Sequence, residues 1–165
     1  MPNHPKGFTL IELILYVGIL SILIGVLSTI FGAIIDVQLN SASTSAVDQD
    51  GRYIISKLSY DFKEATASAQ PALPGNTTSS LTLQIPGNAL NYTYSLDPNG
   101  NLLLVNDDGS NQLNSSDTEV SNLSFTRIGS GGDDDTIRIN FTVTSRINQP
   151  SGEETQSFQT TLGFD

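Results

Sequence analysis

One carboxylate, Glu12, stands in an otherwise uncharged apolar run from Phe8 to Ile35. On insertion scales a charge at the bilayer centre costs roughly 2.5–3.5 kcal/mol, and less near the edge. A buried carboxylate is tolerated when a cation partners it and is costly when left alone. Ion pairing is therefore the first chemistry to consider at Glu12. A local alternative stays open. Thr9-Leu10-Ile11-Glu12 fits a capping box, with Thr9 as N-cap and Glu12 closing back. A negative charge in the first helical turns also suits the macrodipole. Elsewhere, Asp133, Asp134 and Asp135 in a glycine-rich loop are candidate calcium ligands, as are Asp107 and Asp108. Calcium needs about six to eight oxygens brought together. Asp97, Asn99 and Asn101 offer alternating donors without the spacing or final glutamate of an EF-hand, and hairpin-turn chemistry explains them better. Apart from the calcium candidates, no cofactor is expected.

Several chemistries are excluded or disfavoured. There are no cysteines, so disulfides, thiolate catalysis and cysteine-held metals are out. The only histidine is His4. No nucleotide-binding glycine fingerprint, Gly-x-Ser-x-Gly elbow or metal-ligand motif occurs. Paired carboxylates can serve hydrolysis, but the acids here fall mainly in turn segments, where solvation is the default. The chain is not expected to be an enzyme. A net charge of −10 also opposes nucleic-acid binding, which relies on Lys and Arg to neutralise phosphates. Arg127, Arg138 and Arg146 read as solvated strand positions. Asn-x-Ser/Thr triplets at Asn91, Asn122 and Asn140 arise by chance in a sequence so rich in those residues.

The apolar run must position Glu12. Its roughly 28 residues make a helix of about 42 Å, against a hydrocarbon core of about 30 Å. An ordinary secretory signal has a shorter apolar region and ends in small residues; Phe31-Gly-Ala-Ile-Ile35 is a poor cleavage site of that kind. Lys6 and the initiating amine keep the short N-terminal side cytoplasmic, which places the acidic remainder outside. Gly18, Ser21, Gly25, Ser28 and Gly32 alternate in spacing of three and four and share one stripe. Small stripes let helix backbones approach closely in lipid.

Residues 36–70 read as an amphipathic continuation of the helix. Val47, Ile54, Leu58 and Phe62 form its apolar face, with Ala65 completing it. Arg52, Lys57, Asp61 and Lys63 are expected largely elsewhere around the wheel. Gly51 and the Ser-rich 40–45 stretch suggest a bend, and Pro71 with Pro74-Gly75 closes the helix. Residues 71–165 alternate as short strands. Leu81, Leu83 and Ile85 mark one; Tyr92, Tyr94 and Leu96 another; Leu102 to Val105 returns. Leu123 and Phe125 lead to the neighbourhood of Ile128. Ile137, Ile139, Phe141 and Val143 give the clearest period of two, and Phe158, Leu162 and Phe164 the last strand. The expected fold class is α+β, with a long N-terminal helix packed on an antiparallel sheet that buries one face.

Lys6-Gly7-Phe8-Thr9-Leu10-Ile11-Glu12-Leu13 resembles the class III leader of type IV prepilins and type II secretion pseudopilins. That resemblance implies a cleavable leader, residues 1–7, cut between Gly7 and Phe8 by a membrane prepilin peptidase that then N-methylates Phe8. It implies that Glu12 pairs with the N-terminal amine of a neighbouring subunit. Residues 8–35 would be the membrane anchor and filament core. The partners implied are other pilin or pseudopilin subunits, the peptidase, a pilus assembly platform, and membrane lipid before assembly. The chain would sit in the cytoplasmic membrane with its head extracytoplasmic, then in a pilus or pseudopilus. Arg52 to Leu58, Asp61 to Ala65 and a Tyr94-to-Leu104 hairpin also resemble the J-type pseudopilin and W-type minor pilin branch. The competing expectation is a single-pass protein that never polymerises and binds through an extracytoplasmic domain.

Overall fold

The computed structural model describes residues 7–129 and 135–164. The chain divides into two compact units, Met1–Gln38 and Leu39–Asp165. Its elements run α1 (Leu10–Glu64), β1 (Ala67–Gln70), β2 (Thr77–Thr78), β3 (Leu81–Gln84), β4 (Tyr92–Leu96), β5 (Leu102–Asn106), β6 (Gly109–Gln112), β7 (Thr118–Ile128), β8 (Thr136–Ser145) and β9 (Thr155–Gly163). The fold class is α+β, as the alternation and the long helix implied.

In the first unit the helix carries the apolar run. Its large side chains are exposed from Phe8, at 76%, to Val37, at 67%.

The second unit is built on the remainder of α1 and two antiparallel sheets. One has five strands in the order β1-β3-β4-β5-β6, the other four in the order β2-β7-β8-β9. This corrects the expectation of a single sheet. Both sheets turn alternate residues inward. Leu81, Leu83, Tyr94, Leu102 and Leu104 come from the first; Phe125, Ile137, Ile139, Phe141 and Val143 come from the second. They join Val47, Ile54, Leu58 and Phe62 of α1 in one core, so the helical stripe read from the sequence does meet strands.

Two boundaries and three short strands differ from the sequence expectation. The helix stops at Glu64 rather than running to residue 70. Residues Ala67–Gln70 instead pair with β3, and Thr66 N–H donates to Gln84 O at 3.0 Å. Pro71 biases the residue before it toward extended backbone, and the β3 edge supplies partners that a further helical turn would forgo. The short polar strands β1, β2 and β6 gave no hydrophobic alternation to read. Strand β7 begins five residues before Leu123, at Thr118. A register shift lies between Ser121 and Ser124, with Asn122 at φ 52°. The bulge adds a residue, so Thr118 and Val120 face inward on even numbers and Leu123 and Phe125 on odd ones. A strict period-two pattern breaks there.

Gly51 is the other departure. It suggested a bend, yet α1 is continuous through it. A Cβ placed on Gly51 would lie 2.1 Å from the Phe158 ring, which itself stacks on Phe141 at 5.3 Å between centroids. The glycine therefore admits an aromatic ring against the helix backbone. Glycine inside a helix normally costs about 1 kcal/mol relative to alanine, so propensity alone makes Gly51→Ala stabilising. Overpacking costs about 1–3 kcal/mol and should dominate. We expect denaturant melts of the full chain in detergent to show Gly51→Ala destabilised, with partial recovery when Phe158→Leu is added. A neutral or stabilised Gly51→Ala would refute the packing role.

Candidate functional site

The N-terminal site is organised by Thr9. It precedes the first helical residue, and its hydroxyl accepts from the Glu12 amide at 3.3 Å while its carbonyl accepts from the Leu13 amide at 3.2 Å. An N-cap of this kind satisfies one of the four otherwise unpaired amides of a helix start. The reciprocal half of the capping box, a bond from the Thr9 amide to the Glu12 carboxylate, does not form. Among the described residues the Glu12 side chain has no hydrogen bond or ion pair, although Glu12 itself is partly shielded. Glu12 lines a shallow cleft together with Gly7, Phe8 and Thr9. Phe8 meets Tyr16 edge-on, ring centroids 6.2 Å apart. The structure thus brings Gly7, Phe8 and Glu12 together. Lys6, the remaining processing candidate, lies outside the described residues.

Down the same helix, Gly18, Gly25 and Gly32 have open space where a Cβ would point. Ser21 and Ser28 return their hydroxyls to the carbonyls of Val17 and Ile24 at 2.8 and 2.9 Å. Thr29, not singled out from the sequence, does the same to Gly25 at 2.9 Å. These back-bonds satisfy polar groups that could find no water in hydrocarbon. The stripe is small, exposed and internally satisfied.

In the second unit two acids missed by the sequence reading hold the head together. Asp61, expected off the apolar face, is fully buried. It pairs with Lys57 at 2.7 Å and accepts a short hydrogen bond from the Tyr94 hydroxyl. Burial, and then that bond to Asp61, push the Tyr94 phenol well above its ordinary range. The Lys57 ammonium also lies 5.5 Å from the Tyr60 ring centre and 5.8 Å from that of Tyr92. Asp50 is buried on the same helix. Its Oδ2 accepts from the Ser115 amide at 2.8 Å and hydroxyl at 2.7 Å, and from the Thr118 hydroxyl at 2.5 Å. In a sequence such acids look like solvated positions, and their hydroxyl partners, Tyr94 for Asp61 and Ser115 and Thr118 for Asp50, lie far along the chain. Only the helical offsets linking Asp50 and Asp61 to Val47, Ile54, Leu58 and Phe62 could have signalled burial.

Asp133 and Asp134 lie outside the described residues. Asp135 is buried and holds the Arg127 guanidinium, Oδ2 to Nε 2.7 Å and to Nη2 2.5 Å. Arg127 also donates to Ala72 O at 2.9 Å, so it is a clamp rather than the solvated strand position expected. Asp107 accepts from the amides of Ala89 and Leu90 at 3.0 and 2.7 Å. Among the described residues no three acids or histidines gather into a metal-binding group.

Residues 2–28 match the family model described as the prokaryotic N-terminal methylation motif. The chain is type IV pilin-like at this end. The matched stretch holds Lys6, Gly7, Phe8 and Glu12 and the stripe as far as Ser28. No curated protein and no solved structure matches the chain. A pilin-like motif on a long apolar helix fits membrane anchoring and a structural rather than catalytic protein. In general terms it implies contact with other pilins and with the prepilin peptidase.

The turn joining β4 to β5 gives the head a measurable pH response. Asp97 accepts from the amides of Asn99 and Asn101, both at 2.8 Å, and from the Asn101 side-chain amide at 2.9 Å. These bonds, the Asn101 amide first, hold its carboxyl below the ordinary value. A lowered folded-state pKa contributes stability above the unfolded value, near 3.9, and that contribution disappears as pH falls through the folded value. The head should therefore lose stability as pH drops below about 4, and Asp97→Asn should flatten that part of the profile. Melting temperatures across acidic pH check it; parallel profiles for the two proteins would count against the turn.

Proposed function

We propose that the chain is a minor pilin or pseudopilin, a structural subunit of a type IV pilus, a competence filament or a type II secretion filament. The observation that carries this is the methylation motif at residues 2–28. Further support comes from the capped helix start, where the Glu12 carboxylate lacks a partner among the described residues beside Gly7 and Phe8.

On this reading the subunit inserts through its apolar helix with the head outside the cytoplasmic membrane. Prepilin peptidase then cuts between Gly7 and Phe8 and methylates the new amine of Phe8. Cleavage creates a cation at the mouth of the helix, and the Glu12 of a neighbouring subunit is its counter-ion. That pairing sets the register in which a subunit leaves lipid and joins the helical bundle. The stripe Gly18, Ser21, Gly25, Ser28 and Gly32 lets neighbouring backbones approach. Lipid contact is exchanged for helix contact, so the apolar side chains remain out of water throughout. The chain has no nucleotide-binding motif, and the assembly platform supplies the work of extraction.

Mass spectrometry of the native N-terminus tests the processing step. The expected mature chain begins at Phe8 and carries one added methyl group; a chain still beginning with Met1 would leave a single-pass anchor that does not polymerise. Glu12→Gln tests the register separately. It should leave cleavage at Gly7 intact while lowering recovery of the subunit in sheared filaments by about tenfold, the equivalent of about 1.4 kcal/mol of lost pairing. Unchanged recovery would remove Glu12 from assembly without touching the processing result.

A further inference from the structure

Four strands end the two sheets, and three of them are guarded. β2 has two residues, β1 has four with a register shift, and β6 has four just after Asp107-Asp108. Short length, irregular pairing and charge are the usual protections of a sheet edge. β9 has none of them. It runs nine residues, Thr155-Gln-Ser-Phe-Gln-Thr-Thr-Leu-Gly163, without a charge or a proline. Its pairing with β8 is in unbroken register from Thr155 to Gly163, and among the described residues its other edge meets no strand. Thr155, Ser157, Gln159 and Thr161 are exposed, while Phe158 and Leu162 are partly buried and pack on the core. The core contacts hold the strand in place.

A polar groove lies next to this strand, lined by Asn40, Ser41, Thr44, Ser45, Asp48 and Gln156. It offers hydroxyls, amides and one carboxylate. Glu153 and Glu154 immediately precede β9.

We propose that the β9 edge receives an extended, cationic segment of another protein as an added antiparallel or parallel strand. Main-chain bonding to a fixed, unprotected edge supplies the docking. Charge chooses the occupant. The chain carries a net charge of −10, so a second acidic copy is opposed, whereas lysine or arginine side chains meet Asp48 and Glu153. Among the described residues Asp48 is held by Arg52 alone, at 3.0 Å, and the Arg52 side chain is 78% exposed. That pair can yield without uncovering a buried charge.

Hydrogen exchange on the full chain in detergent micelles tests the proposal. The probe is a synthetic alternating Thr–Val peptide long enough to lie along β9, with lysine at both ends. The control has glutamate at both ends. The lysine peptide is expected to slow β9 amide exchange about tenfold or more, with the effect lost at high salt; the glutamate peptide is expected to leave it unchanged. Gln159→Lys, which adds a guard of the natural kind to the exposed face, should cut the slowing to below about twofold. Unchanged exchange at Ile137 to Val143 shows that this variant remains folded. Three results overturn the proposal. One is no slowing with either peptide, and another is equal slowing with both. The third is protection without peptide that grows with protein concentration, which would make a second copy the occupant.

Discussion

An exposed apolar helix cannot remain in water, and the function of this protein depends on what covers it. Fully burying a large aliphatic side chain is worth roughly 1.5–3 kcal/mol. The first unit presents an unbroken series of such side chains, at least half exposed through most of Phe8 to Phe31. The helix satisfies its own backbone, and Ser21, Ser28 and Thr29 fold their hydroxyls onto that backbone. The polar requirement is therefore met internally along the span and the apolar one is not. Lipid can meet the apolar requirement, and so can neighbouring helices. Passing from one to the other would keep the helix's hydrophobic contribution nearly constant, which is the physical condition that the proposed assembly requires.

On the proposed assembly reading, Glu12 would add direction to that exchange. Hydrocarbon contact is indifferent to position along the helix, so it cannot select a register. A carboxylate can, because a buried unpaired charge is expensive and a paired one is tolerated. Thr9 does the capping through the Glu12 amide. The carboxylate is thus not needed for the helix to begin, and its charge can serve an intermolecular contact without unravelling the first turn.

The fold was legible where hydrophobic periodicity was long and regular. The helix stripe from Val47 to Phe62 and the β8 alternation from Ile137 to Val143 were read correctly because their buried faces repeat at helical and strand periods. The second sheet was not legible as separate, since period-two alternation tells which face is buried and nothing about which strand pairs with which. β7 was read only from Leu123 because the bulge at Asn122 reverses its inward parity. The N-terminal site was legible for a different reason: its residues are neighbours in sequence, so Gly7, Phe8, Thr9 and Glu12 could be read as a unit. The buried acids could not. Asp61 depends on Tyr94, and Asp50 on Ser115 and Thr118.

Those acids explain how a head without cysteines fixes its helix. Apolar contacts are non-directional, and a stripe of Val, Ile, Leu and Phe can slide against a sheet at modest cost. Asp50 and Asp61 cannot slide, because each holds hydroxyl donors from elements distant in sequence. Displacing either by one turn would leave a carboxylate buried among groups that no longer bond to it, at a cost of several kcal/mol. Gly51 adds the steric counterpart, since only at that residue can the Phe158 ring rest against the helix backbone. Two charged pins and one ring in a glycine notch thus define the seat of α1 within the second unit. This local arrangement performs the positioning that disulfides provide in many small secreted domains.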